Sequence, residues 1–317
     1  MIDDMNIRRN IALLVYMAGL LFMSSCDVHE FPDPKIHYKL DMVFDMEMPL
    51  YKIVEYGEQK TRSSFDEYDV RYKVNVFDGK DQDNNDVLYS FVFTKDDVSV
   101  LDHTVTIPLP RGEYRFAVWT DYVIQDTELD LFYDSDDFNY ISFAEGDHIG
   151  SNDMRDAFMG VLVSEVSKDI AQGCIEMKRP MGKFNFIASD AGNYDLDGYK
   201  VIFNYKGFVP SAFNLHTSKP TDSKAGVRFS SGFKRLNDNE AELGFDYVFV
   251  NGKETVVSVF VEVYDSAGKL LSRSTSIDVP VVRSKLTTVK AEFLTMESGG
   301  GVSLDPDYDG EFNILTD

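Results

Sequence analysis

Cys26 is the residue whose chemistry is best defined by its neighbours. Arg8 and Arg9 precede an apolar run from Ile11 to Met23, and Ser24 and Ser25 lead directly into Cys26. An apolar stretch of about thirteen residues is too short for a hydrocarbon core that needs ~20 helical residues, so it reads as an export signal, not a membrane span. Small residues before a cysteine suit cleavage by a lipoprotein signal peptidase. The Cys26 thiol would then carry diacylglycerol and its new amine a further acyl chain. At about 0.8 kcal/mol for each buried methylene, two or three chains anchor firmly. The competing reading is an ordinary secretory signal with an accidental cysteine, because Met23 stands where leucine is preferred.

Other chemistry is sparse. There is no Gly-x-Ser-x-Gly elbow, and His29, His37, His103, His148 and His216 are scattered. His-Glu-x-x-His, Cys-x-x-Cys and a phosphate-cradling glycine loop are also missing. With 54 acidic residues, neighbouring carboxylates such as Asp96-Asp97 and Asp136-Asp137 arise by chance and read as solvated loop charges. Two loops have oxygen ligands at spacings that suit calcium. Asp305, Asp307 and Asp309 with Gly310 match the start of a calcium loop, but Thr316 stands where a bidentate Glu is needed. The loop Asp81, Asp83, Asp86 lacks the glycine, and a solvated hairpin or tail explains either loop more simply. Cys174, in a strand-like setting, is expected to be a core cysteine rather than a reactive thiol. The aromatics Trp119, Tyr122, Phe132, Tyr133, Phe138 and Tyr140 cluster in sequence and could be sandwich core or a stacking platform for a glycan, with Trp119, Tyr122 and Tyr133 as its contacts. No cofactor is expected.

The elements that would position these groups have a period of two. Ile36, Tyr38, Leu40, Met42 and Phe44 put one face of a strand into a core, and Val70, Tyr72, Val74 and Val76 repeat the pattern. Further strand-like runs are 87–94, 104–108, 113–123 and 158–166, and a second set begins at Cys174 and continues through 183–188, 199–205, 241–250, 254–264, 270–279 and 287–294. A short helical stretch at 152–157, capped by Ser151 or Asn152, is the exception, and Asp265-Ser266-Ala267-Gly268 reads as a hairpin turn. The fold class is all-β, with two tandem β-sandwiches. The expected divisions are a signal peptide at 1–25, a lipidated tether at 26–35, sandwiches at 36–170 and 171–296, and a Gly-rich hinge and acidic tail at 297–317.

Composition agrees. Net charge is −23, and removing residues 1–25 takes away two Arg and two Asp and leaves it unchanged, so a nucleic-acid-binding face is excluded. With 44% hydrophobic residues the chain can build real cores, and with two cysteines, one of them acylated, it has no internal disulfide.

Three stretches, Leu109 to Trp119, Lys178 to Phe186 and Val279 to Val289, resemble the anchor and fimbrillin-like lipoproteins of Bacteroidetes, the FimB/Mfa2 type. The whole mature chain is similar to a Bacteroides lipoprotein family of uncharacterised domain related to these. The resemblance implies a pair of transthyretin-like sandwiches and assembly by strand pairing at an open sheet edge. Thr61-Arg62-Ser63 is the one early arginine site beyond the signal, and it more readily suits a loop than the removable strand of a shaft subunit. The expected function is therefore a non-enzymatic, surface-exposed outer-membrane lipoprotein that anchors or assists fimbria-like fibres, with fimbrial or other surface subunits as partners. Phe312 and Ile314 in the tail suit a donated strand or a docked terminus. The alternative is a glycan-binding surface lipoprotein that uses the aromatics from Trp119 to Tyr140.

Overall fold

A computed structural model of the chain describes residues 35–44, 67–81, 83–98 and 100–296. The lipidation site Cys26, the arginine site at Arg62 and the calcium candidates Asp305, Asp307 and Asp309 lie outside them. All the strands belong to one compact unit that starts at Ile36. Among the described residues no helix is long and apolar enough to cross a membrane.

The alternating residues of β1 (Ile36–Phe44) place Tyr38, Leu40, Met42 and Phe44 in the core. This strand is central in a three-stranded sheet, antiparallel to β4 (His103–Leu109) and parallel to β9 (Gln172–Met177). The facing sheet has the order β3-β2-β5-β8, formed by β2 (Tyr68–Asp78), β3 (Tyr89–Lys95), β5 (Gly112–Ile124) and β8 (Phe158–Val166). Tyr38 stacks on Phe116 between the sheets at 5.1 Å. One side of this sandwich is closed by an antiparallel bridge between Met159, in β8, and Lys178, just after β9.

The same plan recurs further along the chain. β10 (Met181–Ala188) is antiparallel to β16 (Ala241–Phe249) and parallel to the last strand, β20 (Leu286–Ala291), with β15 (Lys234–Arg235) beyond β16. Opposite lie β11 (Lys200–Lys206), β14 (Arg228–Ser231), β17 (Glu254–Tyr264), β18 (Leu270–Arg273) and β19 (Ile277–Val282), with β17 pairing β11, β18 and β19. Phe186 meets Phe203 edge-on across this second core at 5.4 Å. In each half a central strand has the final strand of that half beside it in parallel.

A further sheet joins the halves. β6 (Tyr133–Asp134) pairs with β7 (Ile141–Phe143), β7 with β12 (Phe208–Asn214), and β12 with β13 (Lys219–Ala225). Phe213 and Leu215, at the end of this hairpin's first strand, are buried in the first core, together with Phe245, Tyr247 and Phe249 of β16. The strand β16 is therefore buried on both faces, as parallel-sheet strands usually are, although its neighbours here are antiparallel.

The all-β expectation holds, and the turn at Asp265–Gly268 closes β17 onto β18. The expected helical stretch is one 3-10 turn, Asp153–Arg155, with the Asn152 side chain accepting from the Met154 N–H. Two details differ. The strand at Cys174, assigned from sequence to the second set, is β9 and pairs with β1 instead. Cys174 is exposed, not core, because Ile175 and Met177 occupy the inward phase of β9.

Candidate functional site

The aromatic cluster does not form a platform. Trp119 and Tyr133 are fully buried and Tyr122 nearly so, which corrects the reading of Trp119, Tyr122 and Tyr133 as ligand contacts. The reason is that β5 is covered on both faces. Its inner face meets β1, while the chain from 126 to 143 crosses its outer face and lays Tyr133 edge-on against Trp119 at 5.4 Å. The Trp119 Nε1–H donates to Asp121 at 3.1 Å, and the Tyr133 hydroxyl donates to the Arg155 carbonyl. Tyr140 alone of the group is well exposed, and its hydroxyl donates to Asp222 at 2.7 Å.

Acidic groups are likewise occupied. Asp81 accepts from the N–H groups of Asp83 and Asn84, an ordinary turn. Asp130, Asp134 and Asp136 bring carboxylate oxygens within 4.8 Å of one another. Arg71, which also pairs with Asp121, lies 2.7 Å from Asp130, and Lys73 lies 2.9 Å from Asp136, so protein cations already offset part of the charge. Such neutralisation disfavours a hard divalent ion, which gains from uncompensated carboxylates. The described histidines do not converge. His103 lies against the Tyr72 ring, His148 is bonded to Asp246, and His216 faces Arg115.

A cleft of ≈ 730 Å³ lies where the joining sheet meets the second half. Its walls include Leu131, Phe132, Phe143, Val209, Pro210 and Val227. One lip is the segment after β7, carrying Glu145, Asp147 and His148, and the other is the end of β13 with the turn into β14, carrying Asp222, Lys224 and Arg228. Gly226 takes φ 69° in that turn, a left-handed conformation that glycine adopts without steric cost.

Below the first lip is a polar network that sequence inspection missed. Asp246 projects from β16 and accepts from Arg155, from Tyr205 at 2.7 Å, from His148 at 2.6 Å and from the Tyr247 N–H at 2.8 Å. Burial pushes the Asp246 carboxyl up, but the charges of Arg155 and His148 outweigh it and hold the group below the usual carboxylate range. Arg155 also donates to the Ile149 carbonyl at 2.6 Å and lies over the Phe143 ring at 4.7 Å. Burial, then Asp246, raises the Tyr205 hydroxyl well above its ordinary value. Every acceptor direction of Asp246 is filled, so the network contains no free base or nucleophile. It fixes the floor of the cleft and ties the halves together. A second buried pair, Arg179 with Asp156 at 2.8 Å, does the same nearby. These residues lie more than 90 positions apart in the case of Arg155 and Asp246, and no local pattern marks such a partnership.

The other conspicuous feature is a seam. Opposite the closed side of the first sandwich, β3 and β4 are both edge strands, each with one partner among the described residues. β3 runs for seven residues without proline or glycine, and Tyr89, Phe91 and Phe93 remain only partly buried against the first core.

Comparison with solved structures returns a candidate cell adhesion protein from Bacteroides ovatus at 9% identity and TM-score 0.48, covering 81% of this chain and 92% of that one. The fimbrial anchor protein Mfa2 from Porphyromonas gingivalis is similar at 14% identity and TM-score 0.40, over 75% of this chain and 81% of that one. The tip fimbrial protein Mfa3 from the same organism is similar at 12% identity and TM-score 0.38, over 78% and 81%. No curated protein matches the sequence. Residues 34–316 match the model of a family of unknown function, DUF6562, a span that takes in every described strand, and the chain belongs to that family.

Proposed function

We propose that this protein is a non-enzymatic lipoprotein of the bacterial cell surface, held in the outer membrane through Cys26, that anchors or assists a fimbria-like fibre by strand pairing. The observation that carries the reading is the β3 edge. An edge strand of seven residues with half-covered aromatics, no proline and a single lysine at its end, which among the described residues pairs on one side alone, is a template for an added strand. Several other edges are shortened or blunted instead: β15 has two residues, β14 and β18 four each, and β13 contains Pro220 with Lys219 and Lys224, while the longer β8 is bridged at Met159 to Lys178. The −23 charge suits contacts with protein rather than nucleic acid.

Replacing Cys26 by Ala in the native host tests the anchor. Fibres otherwise intact are expected to move from cells to medium by fractionation and electron microscopy. A second variant, Ser90→Lys with Thr94→Lys, adds charge at exposed positions of β3. It is expected to leave the protein folded and cell-bound while preventing its recovery with fibres. Fibres unchanged in both strains would overturn the proposal. A glycan platform at Trp119, Tyr122 and Tyr133 is not proposed, since a buried ring offers no face to a sugar.

A further inference from the structure

The cleft between the joining sheet and the second half has one lip with two carboxylates and another with two cations, beside which Asp222 is bonded to the Tyr140 hydroxyl. Glu145 and Asp147 stand on one, both exposed, flanking Gly146. Lys224 and Arg228 stand on the other, both exposed, flanking the Gly226 turn. None of the four has an ion pair or a side-chain hydrogen bond among the described residues, so no ammonium or guanidinium nitrogen on the second lip comes within 4.0 Å of a carboxylate on the first. Lys224 and Arg228 thus line the same concavity as Glu145 and Asp147 without neutralising them. Their separation is maintained from below. Arg155, beneath the acidic lip, is bonded to the Ile149 carbonyl and to Asp246, and β13 is held in register with β12.

The walls between the lips are mixed, with apolar surface from Phe132, Phe143, Val209, Pro210 and Val227 beside Ser142, Ser211 and Ser223, and the volume of ≈ 730 Å³ is in the range of small-ligand sites. A simple anion would meet Glu145 and Asp147, a simple cation Lys224 and Arg228, and an uncharged apolar molecule would separate four charges from water without pairing them. A molecule with an apolar body and opposite charges at its two ends would satisfy all of these. We infer that the cleft binds a short zwitterionic peptide, with its ammonium group at Glu145 and Asp147, its carboxylate at Lys224 and Arg228, and its side chains on the apolar surface of the walls. This site is separate from the β3 edge and does not depend on the assembly role above.

Calorimetric titration of the purified protein with the tripeptide Leu-Val-Leu, termini free, tests the inference. Saturable binding in the millimolar range or tighter is expected. Acetylating and amidating the termini should weaken it about tenfold or more, which is ~1.4 kcal/mol. The variants Glu145→Gln with Asp147→Asn, and Lys224→Gln with Arg228→Gln, should each do the same. All four side chains are exposed, so the variants should retain the wild-type circular dichroism and unfolding midpoint. Failure of the free tripeptide to bind, or binding indifferent to both capping and the charge variants, would overturn the assignment.

Discussion

His216 shows most directly how one residue's surroundings set its chemistry. Its Nδ1 lies 2.7 Å from Arg115 Nη1, so the imidazole accepts there and carries its proton on Nε2, which has no partner. Burial, and then the Arg115 charge, press its pKa from 6.5 down to about 4. The folded pKa is below the unfolded one, so the unfolded chain takes the proton first. The contribution is complete above pH 6.5 and is lost as pH falls towards about 4. Urea unfolding midpoints should therefore fall across that interval in the wild type, and less steeply in His216→Gln, whose amide oxygen can still accept from Arg115. Equal pH dependence in the two proteins would show that His216 titrates alike in the folded and unfolded chains, and so is not held low by Arg115 and burial. Trp119 carries the complementary lesson. Its alternation with Tyr114, Phe116 and Val118 in β5 put it on the outer face, and that face became interior only when residues 126 to 143 crossed it.

At the scale of elements, close approach between backbones restricts what the strands tolerate. A Cβ on Gly182 of β10 would come within 2.2 Å of the Val282 carbonyl oxygen, at the end of β19. That contact is with backbone, so no side-chain rotation relieves it. Gly182→Ala is expected to lower stability by about 1–3 kcal/mol, read from denaturant unfolding, because overpacking forces main chain to move. A neutral result would mean that β10 and β19 separate readily. The strands whose burial alternates, β1 and β17, were legible because one face of each is core. The hairpin β12–β13 and the short β14 were not anticipated. β13 reads Lys-Pro-Thr-Asp-Ser-Lys-Ala and is exposed along almost its whole length, so no hydrophobic period exists to betray it, and its place in a sheet comes from pairing with β12.

At the scale of the molecule, the halves repeat a topology yet share structure. The joining sheet takes two strands from each half, the first core includes Phe213, Leu215, Phe245, Tyr247 and Phe249, and Arg155 and Asp246 are buried against each other across the junction. Separating the halves would expose these apolar side chains and leave a buried charge without its partner, a loss of about 3–5 kcal/mol for a broken buried pair. The described strands are thus expected to unfold in a single transition. Scanning calorimetry should give equal calorimetric and van't Hoff enthalpies, whereas a ratio well above one would indicate sandwiches that melt independently.

The amino-acid sequence by itself determined the fold class, most of the strands and the motif at Cys26, since alternation, turn chemistry and a short apolar run before a cysteine act over a few neighbouring residues. The pairing of β9 with β1 was not legible, because parallel pairing between distant segments leaves no local mark. Tertiary structure alone decided that Trp119, Tyr122 and Tyr133 are core, that Arg155, His148 and Tyr205 converge on Asp246, and that charges from residues 145–147 and 224–228 face one cleft. Each of these depends on contacts between distant segments, whose energies are set by burial and geometry at the point of meeting and leave no periodic trace along the chain.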